Sequence, residues 1–226
     1  MRLILLGMAP LLALGLFLVW QAAHRARLEE DLRAGNLAER AVELTEARLN
    51  ERIGALQILA ASRLADAPST WPELYREAQN FRAIFGSHVI LAGLDRRMHF
   101  NTRVSFGSPL PPLPEVQGRA AFPAAVSTGR PAVSDRFLGP VAHEPLVTVA
   151  VPLIREGAVA GALLTTFEIA QFQDCLDRVF LPPGWHVSLV DSQGRLIAGV
   201  PAPRDSAKAY RAGSALAPWT AVVEVP

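Results

Sequence analysis

Cysteine occurs once in this chain, at Cys175, so no intramolecular disulfide can form and no cysteine–histidine cluster exists to hold zinc or an iron–sulfur centre. The count leaves the redox compartment open, and Cys175 itself reads as a small buried apolar residue on a helix. Net charge is nearly absent too, 22 Lys and Arg against 21 Asp and Glu, which argues against a polyelectrolyte partner such as nucleic acid. There is no glycine-rich phosphate loop and no G-x-S-x-G elbow. The five histidines, His24, His88, His99, His143 and His186, include no pair at helical spacing that would grip a metal. No cofactor, no metal and no catalytic set are therefore expected, and the chain reads as a binding protein rather than an enzyme.

What the sequence does have is a long apolar hairpin. Leu146 to Ile154 is rich in β-branched residues, Arg155-Glu156-Gly157 supplies a polar turn with glycine, and Ala158 to Phe167 resumes the apolar run. Neither run alternates between apolar and polar, so both faces of the resulting sheet are expected to be covered, one by a core and the other by a helix or a ligand pocket. Pro152 lacks an amide hydrogen and should face an edge or a bulge.

Leu3 to Trp20 is a run of about 18 residues without a charge, long enough to span a bilayer, with Arg2 before it and an interfacial tryptophan at its end. Gln21-Ala22-Ala23 leaves open cleavage as a secretory signal, but the apolar run is longer than a signal core and passes directly into a helical pattern. In either case the residues after Trp20 are expected outside the cytoplasm. From Ala22 to about Asp66 there is no proline, and Leu28, Leu32, Val42, Leu49, Ile53, Leu56 and Ala60 share one face. Glu29, Glu30, Arg33, Glu39, Arg40, Glu43, Arg48, Glu51 and Arg52 are assigned to the solvated flank. This stalk can form a homodimer seam, which Gly35 and Glu39 interrupt, or cover its own domain, or do the first with its lower half and the second with its upper half.

Thr70 is expected to cap a second helix through Tyr75, Ala78 and Phe81. Residues 88–94 and 98–102 form a second hairpin, and Gly107 to Pro114, with four prolines, an extended loop. A helix is expected over Glu115 to Thr128, a strand over Pro131 to Phe137, and a helix over Glu168 to Phe180. One antiparallel sheet of about five strands, with helices packed on it, accounts for that order. After Leu181-Pro182-Pro183-Gly184-Trp185, residues 186–198 read as strand, turn and strand, and 219–225 as a last strand.

The order of elements, together with Val89-Ile90-Leu91-Ala92-Gly93-Leu94-Asp95, Phe100-Asn101-Thr102, Phe106-Gly107-Ser108-Pro109, Gly129-Arg130-Pro131 and Pro145 to Pro152, resembles the extracytoplasmic Cache (PAS-like) sensor domains of bacterial receptor histidine kinases and related receptors. The resemblance covers roughly Ala22 to Pro226. It implies an α+β fold in four parts: a transmembrane anchor (1–21), a long stalk helix (22–66), a membrane-distal PAS-like module (67–180), and a short membrane-proximal one (181–226). It also implies a single-pass protein of the bacterial inner membrane with its bulk in the periplasm, and transmembrane signalling on binding a small ligand. Relatives of this kind usually continue into a second membrane helix and a cytoplasmic module, which residues 1–226 do not contain. The alternative is an anchored binding or dimerisation protein without kinase output. The Tyr, Arg, Trp and Asp arrangement of amino-acid-sensing double-Cache domains is missing, so no amino-acid specificity is carried over.

A PAS-like pocket would lie on the sheet under the helix and loop after the first hairpin. Arg103, Arg130, Arg136 and His143 are the cations near that place, suited to a carboxylate or other small anion. Thr148, Thr165 and Thr166 on the central strands would orient it.

Overall fold

The computed structural model describes residues 2–200 and 208–226, with side chains from residue 14 onward. One continuous helix, α1 (Arg2–Ala61), opens the chain. The expected membrane span falls largely on residues 3–13, whose side chains lie outside the described set; among the described residues no helix is long and apolar enough to cross a membrane. The apolar seam of α1 divides. Leu28 and Leu32 are 49% and 69% exposed, whereas Ala34, Ala38, Ala41, Val42, Leu49, Leu56 and Ala60 are buried against the protein's own sheets. Arg52, expected on the solvated flank, is buried instead. Its Nη2 donates to the Phe85 carbonyl at 3.2 Å and its guanidinium stands 4.6 Å from the centre of the Phe85 ring, a long-range partner that helical periodicity cannot reveal.

A carbonyl in the last turn of α1 and the one just beyond its end are satisfied from a distance in sequence: Arg155 Nη2 donates to Ala60 O and Ser62 O, both at 3.0 Å. A short 3-10 turn (Arg63–Ala65) and a second (Pro68–Thr70) lead to α2 (Trp71–Phe85). Thr70 does not cap α2, because its hydroxyl donates back to Leu64 O and Ala67 O. Leu74, Tyr75, Ala78 and Phe81 are the buried face of α2, as the spacing predicts.

The hairpin β1 (His88–Gly93) and β2 (Met98–Asn101) follows. Next comes α3 (Ala121–Thr128), shorter than expected. Gly118 holds φ +94 beside the Asp135 carboxylate, where a Cβ would collide, so residues 115–120 form an irregular segment rather than a first helical turn. The single strand expected over 131–137 is two short ones, β3 (Ala132–Val133) and β4 (Phe137–Leu138), with Ser134, Asp135 and Arg136 between them. The central hairpin is β5 (Pro145–Arg155) and β6 (Ala158–Glu168). Because β6 stays paired through Glu168, the following helix, α4 (Ala170–Leu176), starts later than expected.

The first sheet has six strands in the order β2-β1-β6-β5-β3, with β4 also paired to β5, all antiparallel. Pro152 sits where β3 no longer covers β5 and just before a register shift at Leu153 and Ile154, so its missing amide hydrogen breaks no bond. Both faces are covered, as the unbroken apolar runs imply. Val89, Leu91, Val147, Val149, Val151, Leu163 and Phe167 join the core with α1 and α2. Ile90, Ala92, Met98, Ala150 and Leu164 face α3 and Leu113.

The remaining strands, β7 (His186–Val190), β8 (Leu196–Gly199), β9 (Lys208–Gly213) and β10 (Thr220–Val225), form a second antiparallel sheet in the order β8-β7-β10-β9. Trp219, Ala221 and Val223 pack into the same core as α1, so one helix carries both sheets. Polar contacts reinforce that packing. Glu46 accepts from Ser214 Oγ and Ala215 N at 2.7 Å, and Asp31 accepts from Lys208 Nζ at 2.9 Å and from the Tyr210 hydroxyl.

Candidate functional site

Strand register places four polar residues side by side on the α3 face of the first sheet. His88 pairs with Thr166, Thr166 with Thr148, and Ser134 exchanges bonds with Thr148: its amide donates to Thr148 O at 2.8 Å and its hydroxyl accepts from Thr148 N at 2.9 Å. The neighbouring row on that face, Ile90, Leu164 and Ala150, is apolar. A cleft lies between this face, α3, the proline-rich loop and the turn of residues 139–144. Ile90, Met98, Leu113, Phe122, Val141 and Leu164 line its apolar part; Asn101, Arg103, Ser134, Thr148 and Thr166 supply its polar atoms. It is a mostly apolar container with a clustered polar end, the usual composition of a small-molecule site.

Two atoms at that polar end have no partner. Arg103 Nε and Thr166 Oγ1 are buried without a hydrogen bond. Each such group costs about 1–3 kcal/mol, and native proteins rarely leave them so. Arg103 is otherwise well held: its amide donates to Asn101 Oδ1 at 3.0 Å, and its Nη2 meets Glu144 at 3.1 Å and Glu168 at 3.3 Å. Beside it, His88 Nδ1 lies 3.2 Å from Thr102 Oγ1, whose oxygen also accepts from Val89 N. Burial, then the Arg103 and Arg82 charges, push the His88 imidazole down to about 4, so it is neutral at pH 7.

Of the residues singled out by sequence, Arg103 and Thr148 line the cleft, with Thr166. Thr165 lies one position out of phase, on the α1 face, fully buried with its hydroxyl donating to His88 O at 3.1 Å. Arg130 is exposed beyond the C-terminus of α3. Arg136 turns to the second sheet, its amide donating to Asp191 Oδ2 at 3.3 Å and Nη1 to Leu196 O at 2.9 Å. His143 is exposed in the 139–144 turn at φ 57. Asn101, Ser134, Glu144 and Glu168 were not anticipated. Asn101 closes a strand whose partner residue Ile90 is apolar, a visible signal; the other three depend on contacts distant in sequence.

No family model matches this chain, and no curated protein matches it. Solved structures do. The ligand-binding domain of the Pseudomonas fluorescens chemoreceptor CtaA in complex with L-isoleucine superposes with a TM-score of 0.68 at 12% identity, covering 89% of this chain and 94% of that one. That of the Campylobacter jejuni chemoreceptor Tlp3 in complex with L-valine gives 0.64 at 12%, covering 88% and 93%. That of the Pseudomonas aeruginosa amino acid chemoreceptor PctB in complex with L-Arg gives 0.61 at 18%, covering 88% and 94%. The two antiparallel sheets strung on one long N-terminal helix thus have the fold of these bacterial chemoreceptor ligand-binding domains.

Proposed function

We propose that this chain is the extracytoplasmic sensor part of a single-pass bacterial inner-membrane receptor. Leu3 to Trp20 is its anchor, and the cleft in its membrane-distal sheet takes a small molecule with an apolar body and one carboxylate. The protein acts by binding, not by chemistry. The observation that carries the reading is the pair of buried, unpartnered polar atoms, Arg103 Nε and Thr166 Oγ1, at one end of an otherwise apolar cleft. A guanidinium edge and a hydroxyl match the two oxygens of a carboxylate, and the apolar side chains match an aliphatic or aromatic tail. The small-molecule ligands of the solved neighbours support a binding role for the same fold.

Binding would be read out through α1, which touches both sheets, as a population shift between two packings of the stalk in a homodimer, with a histidine-kinase-type output beyond the membrane. The exposed Leu28 and Leu32 suit the dimer seam. Thermal denaturation with a panel of organic acids tests the ligand. A matching monocarboxylate at a hundred times its Kd stabilises by about 2.7 kcal/mol, whereas the corresponding amines do nothing. A panel without any shift refutes the ligand class. Cysteines introduced at Leu28 and Leu32 test the output: ligand-dependent cross-linking rates support signalling, and unchanged rates support an anchored binding protein.

A further inference from the structure

We infer that Glu144 is a specificity-determining residue of the cleft, an internal carboxylate that holds Arg103 until a ligand's carboxylate takes its place; the inference rests on the carboxylate reading above. Arg103 Nη2 donates to Glu168 Oε1 at 3.3 Å and stands 3.1 Å from the Glu144 carboxylate as an ion pair without a hydrogen bond, so both carboxylates crowd Nη2 and Glu144 is the less firmly held, while Nε is buried and unpartnered. A carboxylate that binds side-on across Nε and Nη2 therefore needs one of the two glutamates to yield. The Glu168 backbone is held in β6 opposite Leu146, and its side chain, at 43% exposure no more enclosed than that of Glu144, keeps the hydrogen bond to Nη2. Glu144 stands in the 139–144 turn, which lines the cleft through residues 139–142. That turn is closed by backbone bonds of its own, Gly139 N to Glu144 O at 2.9 Å and His143 N to Gly139 O at 2.8 Å. The Glu144 side chain is 40% exposed, so it can swing to solvent without opening the turn.

Charge then sets selectivity. One guanidinium faces two carboxylates, so the empty site is not short of negative charge. A monocarboxylate exchanges for Glu144 at no net change in pairing. A dicarboxylate brings a further negative charge next to Glu168 and the displaced Glu144, which repel it. A neutral amide cannot compete for Arg103.

Calorimetric titration of the full chain with 4-methylpentanoate and with methylsuccinate, in wild type and Glu144→Gln, tests this. Removing the competitor should tighten 4-methylpentanoate about fivefold, the scale of a partly exposed ion pair, and tighten methylsuccinate by more. Binding by wild type with equal or weaker affinity in Glu144→Gln overturns the role of Glu144 and leaves the carboxylate site standing. Absence of binding by both proteins overturns the carboxylate reading and this inference with it.

Discussion

Trp219 Nε1 donates to the carbonyl of Ser134 at 3.0 Å, so a buried residue leading into β10, the last strand of the second sheet, is bonded directly to one that lines the cleft in the first. Trp219 also meets the Phe172 ring edge-on at 5.1 Å. Trp219→Phe keeps part of the packing and leaves the Ser134 carbonyl without its donor. Urea denaturation should show a loss of about 2–3 kcal/mol with an unchanged m-value. A loss within about 0.5 kcal/mol would mean that this bond does not join the sheets.

Thr166→Val separates stability from binding. Its hydroxyl has no partner in the empty cleft, so the nearly isosteric valine removes a buried, unsatisfied group rather than a bond. The free protein should be as stable as wild type or slightly more so, by up to about 1 kcal/mol, while its affinity for a monocarboxylate falls several-fold. A clear loss of stability in the empty protein would show that the hydroxyl already has a structural partner.

His88 makes stability depend on pH in a defined window. Its folded pKa of about 4 lies below the ordinary 6.5, so the unfolded chain binds the proton first on acidification. The contribution is complete above pH 6.5, declines as pH falls towards about 4, and levels off below. The total is on the order of 3 kcal/mol. Denaturation at pH 7, 6, 5 and 4 should trace this slope, and His88→Gln should flatten it.

Asp191 governs the more acidic range. Burial alone would raise its pKa, but the Arg195 amide and guanidinium and the Gln193 amide outweigh it and hold the carboxyl below 3.8. Its stabilisation is present above pH 3.8 and is lost as pH falls through the lower folded value. The amide of Arg136 also donates to Asp191, and its neighbour Asp135, fully buried, accepts from the amides of Arg119 and Ser192. Acid should therefore loosen the joint between the sheets. Hydrogen exchange at the Arg136 and Gln193 amides, which donate to Asp191, should quicken first as pH falls through its lowered value, and equal acceleration throughout the chain would argue against a local joint.

The parts legible in the sequence are those that local pattern controls. Both hairpins of the first sheet follow from β-branched runs and turn residues, and the double burial of β5 and β6 follows from their lack of alternation. Thr148 and Thr166 stand out as polar breaks in apolar strands. Thr165, expected beside Thr148 in the ligand set, faces α1 instead and Thr166 takes the place in the cleft, because a change of one residue in register reverses which face each occupies. Arg52 looks like a surface residue until the Phe85 carbonyl arrives from α2, and Gly118 looks helical until Asp135 claims its space. Glu144 and Glu168 come together only through Arg103. Strand β9 escaped notice because Lys208–Gly213 carries little apolar alternation; the Asp31 contacts and pairing with β10 hold it in place.

The most direct test of the account is a calorimetric titration of 4-methylpentanoate into wild type, Arg103→Gln and Thr166→Val. The account predicts measurable heat and a single site in wild type, at least a tenfold loss in Arg103→Gln and a smaller loss in Thr166→Val. Equal affinity in all three proteins would place the ligand elsewhere and contradict it.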